Sequence, residues 1–329
     1  MRAFVARHET LLWWLHSLYV LGLGAVVMWL GARNYVWLRY SAYYLVVIWT
    51  SSLFLAEVVN RRDGAWTGRI RLAVNYINKN CYQQLLFFIL PIYAGSTTAL
   101  SGNMVFVIVL AISAVLSTLD LVYDRVLAAR RMLAASFFAF NVFAVVNVAL
   151  PVLAGLSNQH ALRVAAVAAV TGFVSLAWRP ARLGRRATWA GVAAGAVVVL
   201  VVADYARPFV PPAPLRLAGT EFGGGLDRRR FSITSPLTSV PASYAGRVYV
   251  LTALHAPLGL RDRVELRWYR EGRFVWASSP HEIVGGRREG FRLWSSVVLA
   301  PPSGPGALRV DVVTAAGQLI GRASLAIVP

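Results

Sequence analysis

Apolar residues run almost unbroken through seven stretches of the first two hundred positions, after which the spacing changes. The stretches are Thr10–Leu30, Tyr40–Val59, Cys81–Leu100, Asn103–Leu121, Met132–Leu156, Ala161–Trp178 and Ala187–Ala203. Each is close to the length a helix needs to cross a bilayer core roughly 30 Å thick. Asn80 to Leu119 carries no charge and is too long for one helix, and Gly95-Ser-Thr-Thr-Ala-Leu-Ser-Gly102 within it is turn chemistry, predicting a tight hairpin.

Past Ala203, Arg207-Pro-Phe-Val-Pro-Pro-Ala-Pro214 cannot continue a helix and is expected to be extended and stiff. Short alternating runs follow at Arg216–Phe222, Arg229–Thr234, Gly246–Leu254, Arg263–Arg270, Arg273–Ser278, Gly290–Leu299, Ala307–Thr314 and Leu319–Val328. Glu271-Gly272 and Ala315-Ala316-Gly317 sit between such runs and supply the glycine a hairpin turn needs. The chain therefore reads as a membrane all-α bundle of about seven transmembrane helices over residues 1–205. A Pro-rich linker over 206–214 leads to an all-β, immunoglobulin-like sandwich over 215–329.

Composition agrees with a membrane chain. Of its 329 residues 57% are hydrophobic and 14% charged, against about 25% charged in an ordinary soluble protein. The net charge of +19 comes from arginines and a single lysine, Lys79. Many of them gather in alternate gaps: Arg61, Arg62, Arg69, Arg71 and Lys79; then Arg125, Arg130 and Arg131; then Arg179, Arg182, Arg185 and Arg186. The gap Gly95–Gly102 has none, and Ser157–Arg163 has one. Positive residues mark cytoplasmic loops, so the N-terminus is expected in the cytoplasm and the β domain outside, with Arg33 and Arg39 as the exception. Placed in this way, the charge argues for a lipid bilayer as the partner and against nucleic acid. Trp66, Ile70, Val74 and Ile77 fall at helical spacing in one basic gap and predict a helix lying along the membrane surface.

Candidate chemistry is sparse. The one cysteine, Cys81, excludes an intramolecular disulfide and a Cys-rich metal site, and the five histidines lack ligand spacing. His16 is the one titratable His, Asp, Glu, Lys or Arg well inside a span. The last span has no lysine for a retinal-type Schiff base, and neither a His-Glu-x-x-His motif nor a Gly-x-Ser-x-Gly elbow occurs. No catalytic residue, metal site or cofactor is implied. Glu57, Asp120 and Asp124 sit at cytoplasmic span ends near Arg61, Arg62 and Arg125, where they read as ion pairs or as a polar cluster at a cytoplasmic mouth. Asn141 and Asn147 can hydrogen-bond between helices, and Gly191-Val-Ala-Ala-Gly195 permits close helix approach, within the bundle or against a second copy.

The hairpin at Glu271-Gly272 allows a finer expectation. With a two-residue loop Arg270 opposes Arg273, Tyr269 opposes Phe274 and Arg267 opposes Trp276, and opposed residues share a face. Val264, Leu266, Trp268, Val275 and Ala277 then form the core face. Arg267, Tyr269, Phe274 and Trp276 form an aromatic, basic face suited to a partner or an anionic polymer, unless another element covers it.

Arg247-Val-Tyr-Val-Leu-Thr252, Glu265-Leu-Arg-Trp-Tyr269, Leu293-Trp-Ser-Ser296, Val310-Asp-Val-Val-Thr314 and Gly317-Gln-Leu-Ile-Gly321 resemble a bacterial module, domain of unknown function 2914. Its pattern often has a histidine where this chain has Leu266. The multi-span part resembles domain of unknown function 5924, which often precedes that module. The resemblance supports the division into two parts and implies no activity. Three readings remain. The first is a non-enzymatic inner-membrane scaffold or receptor whose periplasmic β domain binds a protein or an envelope polymer. The second is a membrane enzyme or transporter acting on lipid at the cytoplasmic side. The third is an accessory subunit of a larger membrane complex.

Overall fold

At six of the seven apolar runs a computed structural model supplies a helix. The structure describes residues 9–33, 83–119, 129–177, 185–300 and 304–329, with Tyr43, Val47 and Val126 as isolated positions. The expected second span, the surface helix through Trp66 and Ile77, and Glu57, Asp120 and Asp124 lie outside the described residues. The N-terminal part contains six described helices: α1 (Glu9–Arg33), α2 (Gln83–Gly95), α3 (Met104–Thr118), α4 (Arg131–Ala154), α5 (Asn158–Ala177) and α6 (Arg185–Ala206). Among them α4 is long and apolar enough to cross a membrane unaided; part of α1, together with α2 and α3, forms shorter apolar helices.

The chain gathers into two compact units. The first holds the helices, within Met1–Ile92, Val107–Leu153 and Ala161–Asp204. Leu86 of α2, Leu110 of α3, Val152 of α4 and Leu162 of α5 are fully buried. Two contacts tie polar groups inside: the Gln83 amide donates to the carbonyl of Ser117, and the Ser113 hydroxyl donates to Asn141 Oδ1 at 2.6 Å. Arg163 falls inside α5 and grips Asp204 of α6 through Nε and Nη2 at 3.3 and 2.9 Å. Outward faces stay apolar. Leu18 and Tyr19 of α1, Val105 and Ile112 of α3, and Val197 and Val198 of α6 are each half or more exposed.

The second unit comprises Tyr205–Pro329 together with two helix-connecting segments, Tyr93–Phe106 and Ala154–His160. The proline-rich segment is not an extended arm. Arg207–Phe209 makes a single 3-10 turn that tolerates Pro208 early in it, and Val210–Pro214 is buried. The Gln318 side chain donates to the carbonyl of Val210 at 3.0 Å and Arg207 Nη1 to that of Ala316 at 2.9 Å, so the segment is held against the turn at Ala315-Ala316-Gly317.

Eleven strands follow among the described residues. β1 (Arg216–Gly223), β5 (Gly246–His255) and β9 (Phe291–Leu299) form one antiparallel sheet in that order. β4 (Ser239–Pro241), β11 (Leu319–Val328), β10 (Gly306–Thr314), β6 (Arg261–Arg270) and β7 (Arg273–Ala277) form the other, where β8 (His281–Val284) also pairs with β6. β2 (Leu226–Asp227) and β3 (Ser232–Ile233) make a small separate ribbon. Alternate residues of both large sheets meet in one core: Val248, Val250 and Leu254 from β5; Val264, Leu266 and Trp268 from β6; Leu308, Val310 and Val312 from β10. Trp268 Nε1 crosses this core to donate to Ser295 Oγ of β9 at 2.8 Å. A buried indole needs such a partner, which makes Ser295 a useful polar residue in an otherwise apolar row.

Candidate functional site

The Glu271-Gly272 turn forms as the sequence predicts, with both residues at positive φ (49° and 80°) and with Arg270 opposite Arg273 and Tyr269 opposite Phe274. The register then slips. Trp276 lies opposite Trp268, and Arg267 lies opposite Ala277, because Val275 is an extra residue forming a β-bulge. The expected Arg267–Trp276 pair does not exist. Nor does Val275 join the core: it is 46% exposed on an edge strand with no neighbour beyond it in the sheet order.

The expected four-residue face is thereby divided. Arg267, Tyr269 and Phe274 stay together on the outward face of the larger sheet. There the Tyr269 and Phe274 rings meet edge to face at 5.8 Å, and the Arg309 guanidinium lies 4.3 Å from the Tyr269 ring centre. Charge on this face is largely matched within the sheet. Arg267 Nη2 contacts Glu265 Oε1 at 2.6 Å, and Asp311 receives Arg322 through Nε and Nη2 at 2.7 and 2.9 Å. Arg309 Nε also reaches Asp311 at 3.3 Å, close enough for an ion pair though not aligned as a hydrogen bond. The hydrogen bond to Asp311 raises the Arg322 pKa above its ordinary value, against a smaller lowering by burial. With Arg267, Arg309 and Arg322 engaged, the centre of this face has little to offer an anion.

Trp276 moves instead to the opposite side of its strand and lines a pocket of about 580 Å³, inside the roughly 300–1,000 Å³ typical of small-ligand sites. β7 and the segment after it contribute Trp276, Ser278, Ser279 and His281; the facing wall is β9, with Phe291, Trp294, Ser295 and Ser296. Arg247 of β5, Arg292 of β9 and Phe231 complete it. β9 ends its sheet in the strand order, as β7 ends the other, so the pocket lies along two sheet edges. Arg228 lies 5.0 Å from the Trp294 ring centre and Arg287 4.6 Å from that of Phe291. Arg292 donates to Glu289 at 3.2 Å and to the Phe231 carbonyl at 3.3 Å. Arg247 makes no ion pair and no side-chain hydrogen bond among the described residues.

Comparison with known proteins joins this geometry to families. A model described as a family of unknown function, DUF5924, matches residues 2–244. The chain belongs to the DUF5924 family. A second model, a protein of unknown function termed DUF2914, matches residues 261–327 and so covers β6 through most of β11. The DUF5924 match runs past the helices into β1 to β4, so the β unit is shared between the two models. A solved structure of an immunoglobulin-like protein from Pseudomonas aeruginosa is a distant match. It is 18% identical, covers 35% of this chain and 97% of its own, and has a TM-score of 0.22. No curated protein matches.

Sequence reasoning found Trp276 by way of the wrong partner, and it missed Arg247, Trp294 and Arg292. Alternation along β9 places Arg292, Trp294 and Ser296 on one side, a signal present in the sequence. That β9 lies beside β5 was not legible, because these strands are separated by three others of the opposite sheet. In the helical unit, a Cβ built at Gly195 would touch nothing within 4 Å, and Gly191 is exposed, so Gly195 is not a point of close packing among the described residues. The His16 side chain lies outside what the structure describes.

Proposed function

We propose that this DUF5924 chain is a non-enzymatic membrane scaffold or receptor. In this reading about seven spanning helices carry an immunoglobulin-like β sandwich on the extracytoplasmic side. The sandwich binds a protein or an envelope polymer at the pocket beside Trp276. The observation that carries it is that pocket, in which aromatic side chains, an arginine without a partner among the described residues and several hydroxyls line one cavity along two sheet edges.

Two further observations support the membrane placement. Exposed apolar rows on α1, α3 and α6 would be a liability in water and are the ordinary condition of helices facing lipid. Gly95–Gly102 and the residues around Ser157 were read as external loops from their few basic residues, and both belong to the same compact unit as the strands. Asn103 donates to the Leu319 carbonyl at 3.1 Å, for example. Loops and strands therefore share one side of any membrane, and the sparsely charged loops argue that it is the outer side.

Two measurements test the reading. In a Cys81→Ser background, Ser243→Cys at an exposed strand end is expected to react with a membrane-impermeant maleimide in spheroplasts. Labelling only after lysis would place the β unit inside and sink the proposal. A photo-crosslinking amino acid at Trp276 in the full-length protein in cells is expected to trap a partner that the same probe at exposed Leu258 does not; equal or no trapping at both rejects the pocket as the binding surface.

A further inference from the structure

Two groups without partners among the described residues line this cavity from different strands. Trp276 of β7 is 44% exposed, with no ring or cation against it among the described residues, and Arg247 of β5 is the unengaged guanidinium. A bare indole gains from burying a flat apolar surface. A free guanidinium grips a carboxylate through two parallel N–H···O bonds. Other cations reinforce the demand for an anion: Arg292 is in the lining, and Arg228 stands over Trp294. No acidic residue lines the cavity among the described residues, and Glu289 beside it is held by Arg292 at 3.2 Å.

Four serines, Ser278, Ser279, Ser295 and Ser296, stand in a lining that is otherwise largely aromatic and apolar. Ser279 and Ser296 border the cavity without side-chain hydrogen bonds, and Ser295 spends one lone pair on Trp268 while keeping its own proton to give. A ligand combining a flat C–H face, a carboxylate and neighbouring hydroxyls meets all three demands, and a uronic acid in its ring form is such a ligand. Resting on the reading of the pocket above, we infer that it binds an acidic oligosaccharide. One uronate ring stacks on Trp276, its carboxylate meets Arg247, and its hydroxyls meet Ser279 and Ser296. The cavity is large enough for a short oligosaccharide, and its position along two sheet edges lets a longer chain continue past it.

The test is calorimetric titration of the full-length protein in detergent micelles with three probes: a galacturonate trimer, an alginate trimer and a hyaluronan tetrasaccharide. At least one is expected to bind saturably. Its methyl ester, and separately the Arg247→Gln variant, should each weaken binding roughly tenfold or more, as loss of a charge-assisted contact does. Trp276→Leu should weaken it to a similar degree, and an unchanged melting temperature in both variants shows that the fold is intact. Absence of saturable binding by all three probes overturns the inference. So does binding that survives both substitutions, or equal binding of a poly-glutamate of matched charge, since the pocket would then read charge alone. Should every sugar fail while the crosslinker at position 276 still traps a partner, the binding module stands and only the ligand class falls.

Discussion

Asn158 gives both its backbone N–H and its side-chain amide to one oxygen of Asp262, at 3.0 and 2.9 Å. Asn158 is the first residue of α5, and that helix has no acidic residue in its own first turn. Strand β6 supplies the carboxylate instead, where unpaired N–H groups favour negative charge. Asp262→Ala should therefore lower the stability of the β unit by about 1–3 kcal/mol. Urea unfolding of the full-length protein followed by near-UV circular dichroism reads the loss, and Asp262→Asn should recover part of it.

Asp311 is nearly buried and neutralises Arg322 and Arg309 on neighbouring strand positions. Removing it leaves two guanidinium groups facing each other without an anion. Asp311→Ala is expected to cost about 2–4 kcal/mol, toward the lower end because both arginines keep some solvent. The same unfolding assay checks this, and the loss should change little between low and moderate salt, since burial limits screening.

His255 pairs across the sheet with Arg216, and its pKa is lowered from 6.5, first by burial and then by that guanidinium. A histidine whose folded pKa is depressed takes its proton more readily in the unfolded chain. Stability is then greatest above about pH 6.5 and falls as pH drops through that value toward the folded pKa. Unfolding midpoints measured from pH 8 to pH 5 should decline less steeply in His255→Asn than in the unaltered protein. A steeper or equal decline would contradict the sign.

Gly155 follows α4 at φ 65°, the left-handed position that ends many helices, and a Cβ there would stand 2.5 Å from the Gly259 carbonyl oxygen. Gly155→Ala should lose about 1–2 kcal/mol from backbone strain alone, plus whatever the Gly259 loop must yield. A lowered melting temperature together with faster proteolysis at that loop is the expected result.

The sequence is most readable where one local rule decides the outcome. Apolar runs locate α4 and α5 to within a few residues, and Gly272 locates its hairpin because positive φ favours glycine. Strand alternation finds β5, β10 and β11 nearly end to end. What it cannot show is a bulge: Phe-Val-Trp-Ala is apolar throughout and marks no face, and only the pairing of Trp268 with Trp276 makes Val275 surplus. That one residue removes Trp276 from the face on which its spacing places it. The strands Ser239–Pro241 and His281–Val284 escape for a related reason, being too short to show a period and held in place by remote partners.

The bond from Asn103 to Leu319 has a consequence in time as well as in space. Its partners are 216 positions apart, and those of the Asn158–Asp262 contact 104. At a synthesis rate of roughly 5–20 residues per second, the loop carrying Asn103 waits about 10–40 s for the strand that receives its amide. During that interval the connection between α2 and α3 is made but unclasped, so the helices before α6 are complete well before the β unit is. A chain stopped just before β11 would accordingly show its defect far upstream, at a turn completed long before the break.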